Sequence, residues 1–211
     1  MSRLDVSSFT DKILAAASLA SEGSEGEVEF AFTEEALNSS AIKERILNYV
    51  ERHSREGFVF DGYVNIKTVR SSRSSGRLPL LIGGARRPVE ELVRDFLVFL
   101  SAMGRIEDLV QYVLIQVKPR PSKAFYTTLE ESEDMDPMVK ERLSRLESRW
   151  AELPEFGRQL LTATFLIEND NSYEIEVEKA EGPLKGREKQ TKEIMDMIFR
   201  SRLKLVRNFT K

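Results

Sequence analysis

Two short segments of this chain alternate glutamate with an apolar residue: Glu27-Val28-Glu29-Phe30 near one end and Tyr173-Glu174-Ile175-Glu176-Val177-Glu178 near the other. Successive side chains of a strand point to opposite faces, so each segment sends its carboxylates one way and its apolar groups the other. Both regions are therefore read as β-strands with one face on an apolar layer. The carboxylate face either turns to water, as in a half-exposed antiparallel sheet, or lines a polar cavity. Charge on such strands also discourages unwanted edge pairing.

The rest of the chain supplies partners for these strands. Ser8 and Asp11 start a helix through the apolar run Ile13 to Ala20, followed by a polar connector from Ser21 to Gly26. Ser39 or Ser40 caps a second helix with Ile42, Ile46, Leu47, Tyr49 and Val50 on one face and Gly57 as its stop. Phe58 to Val69, with a turn at Asp61-Gly62, predicts a hairpin or bent strand. Pro88 opens a helix in which Val89, Leu92, Val93, Phe96, Leu97, Phe99 and Leu100 are apolar nearly all round. That helix, ending at Gly104, is expected to be the central one. Leu109 to Val117 reads as a strand closed by Lys118-Pro119-Arg120-Pro121. An acidic linker, Glu130 to Asp136, leads to an amphipathic helix from Pro137 with Met138, Leu143, Leu146 and Trp150 on its apolar side. Leu160 to Ile167, the turn Glu168 to Asn171 and Tyr173 to Glu178 form a hairpin, and Glu188 to Phe209 a terminal helix. This order implies an α+β fold: a mostly antiparallel sheet packed with a central apolar helix and further amphipathic helices. The 211 residues divide into an N-terminal helix with a flexible connector (1–26), one α+β domain (27–182) and a C-terminal amphipathic helix (183–211).

The chemistry open to the chain is narrow. It has no cysteine and one histidine, His53, read as a solvated residue at a helix end, which largely excludes thiolate and histidine-based triads and metal sites. The formal net charge of -3 gives no global attraction to polyanions. One segment differs: Lys67 to Arg87 carries Lys67, Arg70, Arg73, Arg77, Arg86 and Arg87 with no acid and many Ser and Gly, the composition of a mobile basic loop. Such a loop neutralises phosphates, which makes RNA or another polyanion a candidate partner. The C-terminal helix, with Ile194, Met197, Ile198 and Leu205 along one side and cations toward its end, is a candidate surface for a protein partner or self-association. No run reaches the roughly 20 apolar residues of a membrane span. The N-terminal run follows Asp5 and Asp11 where a secretory signal would be basic, so an intracellular or virion-associated protein, not a secreted one, is expected.

The glutamate strands also resemble a known pattern. Tunnel-fold RNA 5′-triphosphatases, metal-dependent phosphohydrolases of mRNA capping, place a Glu-x-Glu strand and a Glu-x-Glu-x-Glu strand inside a closed β-tunnel. By that resemblance Glu27, Glu29, Glu174, Glu176 and Glu178 would hold Mg or Mn, and Lys118 and Arg120, followed by Ser122, would contact phosphate. The chain departs from the pattern where Leu161 to Ile167 lacks charge and where Pro119 and Pro121 interrupt the basic element. The leading expectation is thus a non-enzymatic binding or assembly protein with no cofactor, viral or accessory to RNA processes. It would act through the basic loop and C-terminal helix, with the metal-dependent phosphohydrolase as the alternative.

Overall fold

The computed structural model describes residues 8–22, 26–68, 87–117, 162–178 and 188–209. They form an α+β fold of two layers, a six-stranded antiparallel sheet with helices packed on one of its faces. In chain order the elements are α1 (Phe9–Glu22), β1 (Gly26–Phe32), α2 (Glu34–Asn38), α3 (Ser40–Arg52), β2 (Phe58–Phe60), β3 (Val64–Thr68), α4 (Val89–Ser101), α5 (Ile106–Leu109), β4 (Val110–Val117), β5 (Ala163–Glu168), β6 (Tyr173–Val177) and α6 (Glu188–Phe209). The strand order is β2-β3-β1-β4-β5-β6, with β1 seated between β3 and β4 and every neighbouring pair antiparallel. Among the described residues the sheet is open, and β2 and β6 each pair on one side only.

Register decides which side chains meet. Phe58, Ile66, Val28, Ile115, Phe165 and Ile175 form one cross-strand row, and all are at most 2% exposed. The helix layer covers this row and the next, Val64-Phe30-Val113-Ile167. Toward β2 the core is aromatic, with Phe96 of α4 meeting Phe30 edge-on at 5.0 Å and Phe58 at 5.6 Å between ring centroids. Such edge-to-face contacts contribute about 0.5–1.5 kcal/mol each beyond area burial.

The central helix is α1, not α4 as the apolar pattern suggested. Phe9, Ile13, Leu14, Leu19 and the small residues Ala15, Ala16, Ala17 and Ala20 are all buried, because α1 lies on β1, β4 and β5 with α4 on one flank and α6 on the other. Alanines let neighbouring helices approach on several sides, whereas bulky residues on one stripe, as in α4, mark a flanking helix whose opposite side carries Glu91, Arg94 and Asp95. The N-terminal and C-terminal helices, read from sequence as separate from the domain, thus belong to the same core as the sheet.

Local chemistry sets the boundaries. Ser8 and Asp11 cap α1 reciprocally: the Asp11 N–H donates to Ser8 Oγ at 3.1 Å and the Ser8 N–H to Asp11 Oδ2 at 3.2 Å. Ser21, assigned to the connector, is instead the last turn of α1, and its Oγ accepts the Glu90 N–H at 2.7 Å. It supplies the N-terminal cap that Pro88 lacks in α4. Thr33 caps the short helix α2, and Ser39 caps α3. Gly57 (φ 102°) ends the short 3-10 turn after α3, and Gly62 (φ 74°) sits in the β2–β3 turn, both in left-handed backbone that suits glycine.

Candidate functional site

The second face of the sheet, where no described helix packs, gathers the residues that alternation turned away from the core. It is built from Val59 on β2, Asn65 on β3, Glu27 and Glu29 on β1, Tyr112, Leu114 and Gln116 on β4, Thr164 and Leu166 on β5, and Glu174 and Glu176 on β6. The register lines them up as two rows, Glu29-Leu114-Leu166-Glu174 and Glu27-Gln116-Thr164-Glu176. Within each row neutral residues separate the two glutamates, and on β3 the rows continue with Asn65 opposite Glu29 and Lys67 opposite Glu27.

Both glutamate pairs thus share a face, but the structure does not bring them together. Strands β4 and β5 lie between β1 and β6, so three interstrand spacings, about 14 Å, separate Glu29 from Glu174 and Glu27 from Glu176. Metal–oxygen bonds of about 2–2.6 Å cannot bridge that gap with one cation. Among the described residues no group of three or more His, Asp or Glu is placed to hold a metal ion. Glu174 and Glu176 are exposed, Glu27 and Glu29 half-buried, and Glu178 follows β6 with its N–H donating to the Thr162 carbonyl at 3.0 Å.

Two tyrosines stand at one end of the face. Ala31 points outward between Phe30 and Phe32 yet is 2% exposed. Tyr112 stands opposite it on β4 and is hydrogen-bonded to Tyr63. Burial, then the nearby Tyr63 and Glu29, raise the Tyr112 pKa above the ordinary tyrosine value. Tyr63 and Val59 remain 43% and 50% exposed, leaving an apolar edge at the β2–β3 hairpin. Asn65 Oδ1, in the same row as Glu29, is shielded from solvent and accepts no hydrogen bond from the described residues. The face is rich in acceptors and negative charge around a partly apolar middle.

No protein-family model, no curated protein and no solved structure matches the chain.

The other sequence-derived candidates fare differently. Of the basic segment, Lys67 is in β3 opposite Glu27, and Arg70, Arg73, Arg77 and Arg86 lie outside the described residues, as do Lys118, Arg120 and the helix expected from Pro137. Arg87 is engaged by three carboxylates: Asp95 at 2.6 Å, Glu91 at 3.2 Å and Glu56 at 3.9 Å. It ties the turn after α3 to α4. Of the α6 residues named for a partner, Ile198 is buried in the chain's own core with Met195, Phe199, Leu203 and Val206, Met197 packs against that core, and Leu205 is 39% exposed. His53 is not simply solvated; its ring stacks on Tyr49 at 4.2 Å and its Nδ1 lies 3.2 Å from Glu56 Oε1. Leu47, placed on the apolar face of α3, is 39% exposed.

Two half-buried tyrosines carry a testable pH dependence. Burial pushes Tyr49 up to about 12, aided by Asp95 and Glu56, and burial with the Asp196 hydrogen bond at 2.8 Å pushes Tyr173 to about 12. A folded pKa above the unfolded value of about 10 means the unfolded chain loses its proton first as pH rises. The associated stability is therefore complete below pH 10 and lost between about 10 and 12, by roughly 1 kcal/mol per tyrosine after discounting for partial solvent screening. Urea unfolding at pH 9 and pH 11, with absorbance at 295 nm reporting tyrosinate, checks this; Tyr49→Phe should flatten the decline, and an unchanged slope would contradict it.

Proposed function

We propose that this is a non-enzymatic binding protein whose contact surface is the outer face of the sheet. One observation carries the reading: all described helices that pack on the sheet cover its other face, while the outer face presents Tyr112, Leu114 and Leu166 between two glutamate pairs. Half-exposed apolar residues framed by charge are the composition of a recognition surface. The negative charge of that face favours a protein partner over RNA. Polyanion binding then rests on Lys67, Arg70, Arg73, Arg77 and Arg86, and its signature is affinity that falls steeply with salt. No described helix is long and apolar enough to cross a membrane.

A panel of fluorescent probes tests the reading: single-stranded RNA, a basic helical peptide and an acidic helical peptide, each titrated with the wild-type chain and with Leu166→Asp. At least one probe should bind and lose at least tenfold in affinity with Leu166→Asp. Binding indifferent to Leu166→Asp would move the contact surface elsewhere. Phosphate release from triphosphate-ended RNA with Mn²⁺ that disappears in Glu27→Ala and Glu176→Ala would instead establish the phosphohydrolase.

A further inference from the structure

The outer face has a shape as well as a charge. Its middle is a stripe two strands wide, Tyr112, Leu114 and Gln116 beside Thr164 and Leu166, with Leu114 and Leu166 directly paired. On each side runs an acidic rail, Glu27 and Glu29 on β1, with Lys67 of β3 at the register position opposite Glu27, and Glu174 and Glu176 on β6. We infer that this stripe seats one basic amphipathic helix of a partner protein, lying along β4 and β5; the inference rests on the reading of the outer face as the contact surface.

Dimensions and charge select that occupant. The rails are about 14 Å apart, and an α-helix with its side chains is about 10–12 Å across, so one helix fills the stripe and presents its flanks to both rails. Within each rail the two glutamates are two residues apart on a strand, about 7 Å, close to the 6 Å rise between helix positions i and i+4. Lysine or arginine at i and i+4 on one flank therefore meets Glu174 and Glu176, and a cation on the other flank meets Glu29, while an apolar stripe at i, i+3, i+4 and i+7 rests on Leu114, Leu166 and Tyr112. Among the described residues Glu174 has one long ion pair, with Lys192 at 3.9 Å, and its side chain is 71% exposed, so a partner's cation reaches it readily. A second copy of this chain would bring the same two rails against themselves, which like-charge repulsion opposes.

The probe is a helix-stapled peptide of about 14 residues with leucines on one stripe and lysines on both flanks, measured by fluorescence anisotropy against the full chain. It should bind saturably at one site, lose at least tenfold in affinity in Glu29→Lys/Glu174→Lys, and weaken as salt rises from about 0.05 to 0.2 M. The same peptide with glutamate in place of lysine should not bind. Equal binding of both peptides, or unchanged affinity in the double variant, overturns the inference. If RNA or the acidic peptide binds instead and Leu166→Asp abolishes that, the outer face remains the contact surface and only the basic-helix occupant falls. If no probe responds to Leu166→Asp, both fall. A concentration-dependent dimer abolished by Leu166→Asp assigns the face to a second copy and likewise overturns the inference. So does a large loss of stability in Leu166→Asp without any probe binding, because the stripe is then covered by the chain itself.

Discussion

Lys12→Ala should destabilise the fold by about 3 kcal/mol, although lysine is the residue type least expected in a core. Lys12 is 2% exposed in the central helix α1, and its Nζ donates to the Asn171 carbonyl at 3.0 Å and to Asn171 Oδ1 at 2.8 Å. These bonds tie α1 to the β5–β6 turn, 159 residues away in the chain. Asn171 holds φ at 73°, a left-handed conformation that asparagine tolerates better than most residues. Alanine removes the donor, leaves the Asn171 oxygens to be rehydrated and opens a void where the aliphatic stem packed. Lys12→Met keeps the stem and loses the donor, so it should cost about half as much. Denaturant unfolding followed by circular dichroism separates the two. Equal stability of Lys12→Ala and wild type would show that the tie contributes nothing.

Where sequence and structure agree, strong local chemistry is responsible. The hairpins at Asp61-Gly62 and Glu168 to Asn171, the Ser8 and Ser39 caps, the Val110–Val117 strand and the terminal helix all follow from turn residues, capping hydroxyls and periodicity. The alternation of Glu27 to Phe30 and Tyr173 to Glu178 correctly gave strands with carboxylates on one side. What local pattern could not give was strand order, which set β4 and β5 between the glutamate pairs. Helix rank was hidden for a related reason: the alanines of α1 carry little hydrophobic signal per residue, yet their small size is what suits the centre. Arg87 shows a third limit, since nothing in its basic segment announces that Glu56, Glu91 and Asp95 converge on it from the fold.

The outward-facing stripe was concealed by its own composition. Val110 to Val117 is apolar at most positions, so its inward residues Val113, Ile115 and Val117 could not be told from its outward ones, Tyr112, Leu114 and Gln116. Only pairing with β1 and β5 fixes the phase, because a one-residue slip would exchange the two faces. The outward set carries the proposed function and the inward set the stability. The same division runs through β5, where Phe165 faces the helices and Leu166 faces out.

These neighbours on β5 supply the most direct measurement. Phe165 is fully buried against Phe199 of α6, with ring centroids 5.1 Å apart, and Phe165→Asp would place an unpaired carboxylate in a cavity at the centre of the core. The expected loss exceeds about 5 kcal/mol, enough to unfold a domain of ordinary stability. Leu166→Asp puts the same charge on the outer face, where it meets solvent and neighbouring glutamates, and should cost about 1 kcal/mol, a shift of roughly 2–4 °C in Tm. Thermal unfolding of the two variants side by side tests whether the outer face is a free surface. A folded Leu166→Asp beside an unfolded Phe165→Asp is the predicted result, and a Leu166→Asp that unfolds as Phe165→Asp does would contradict the account.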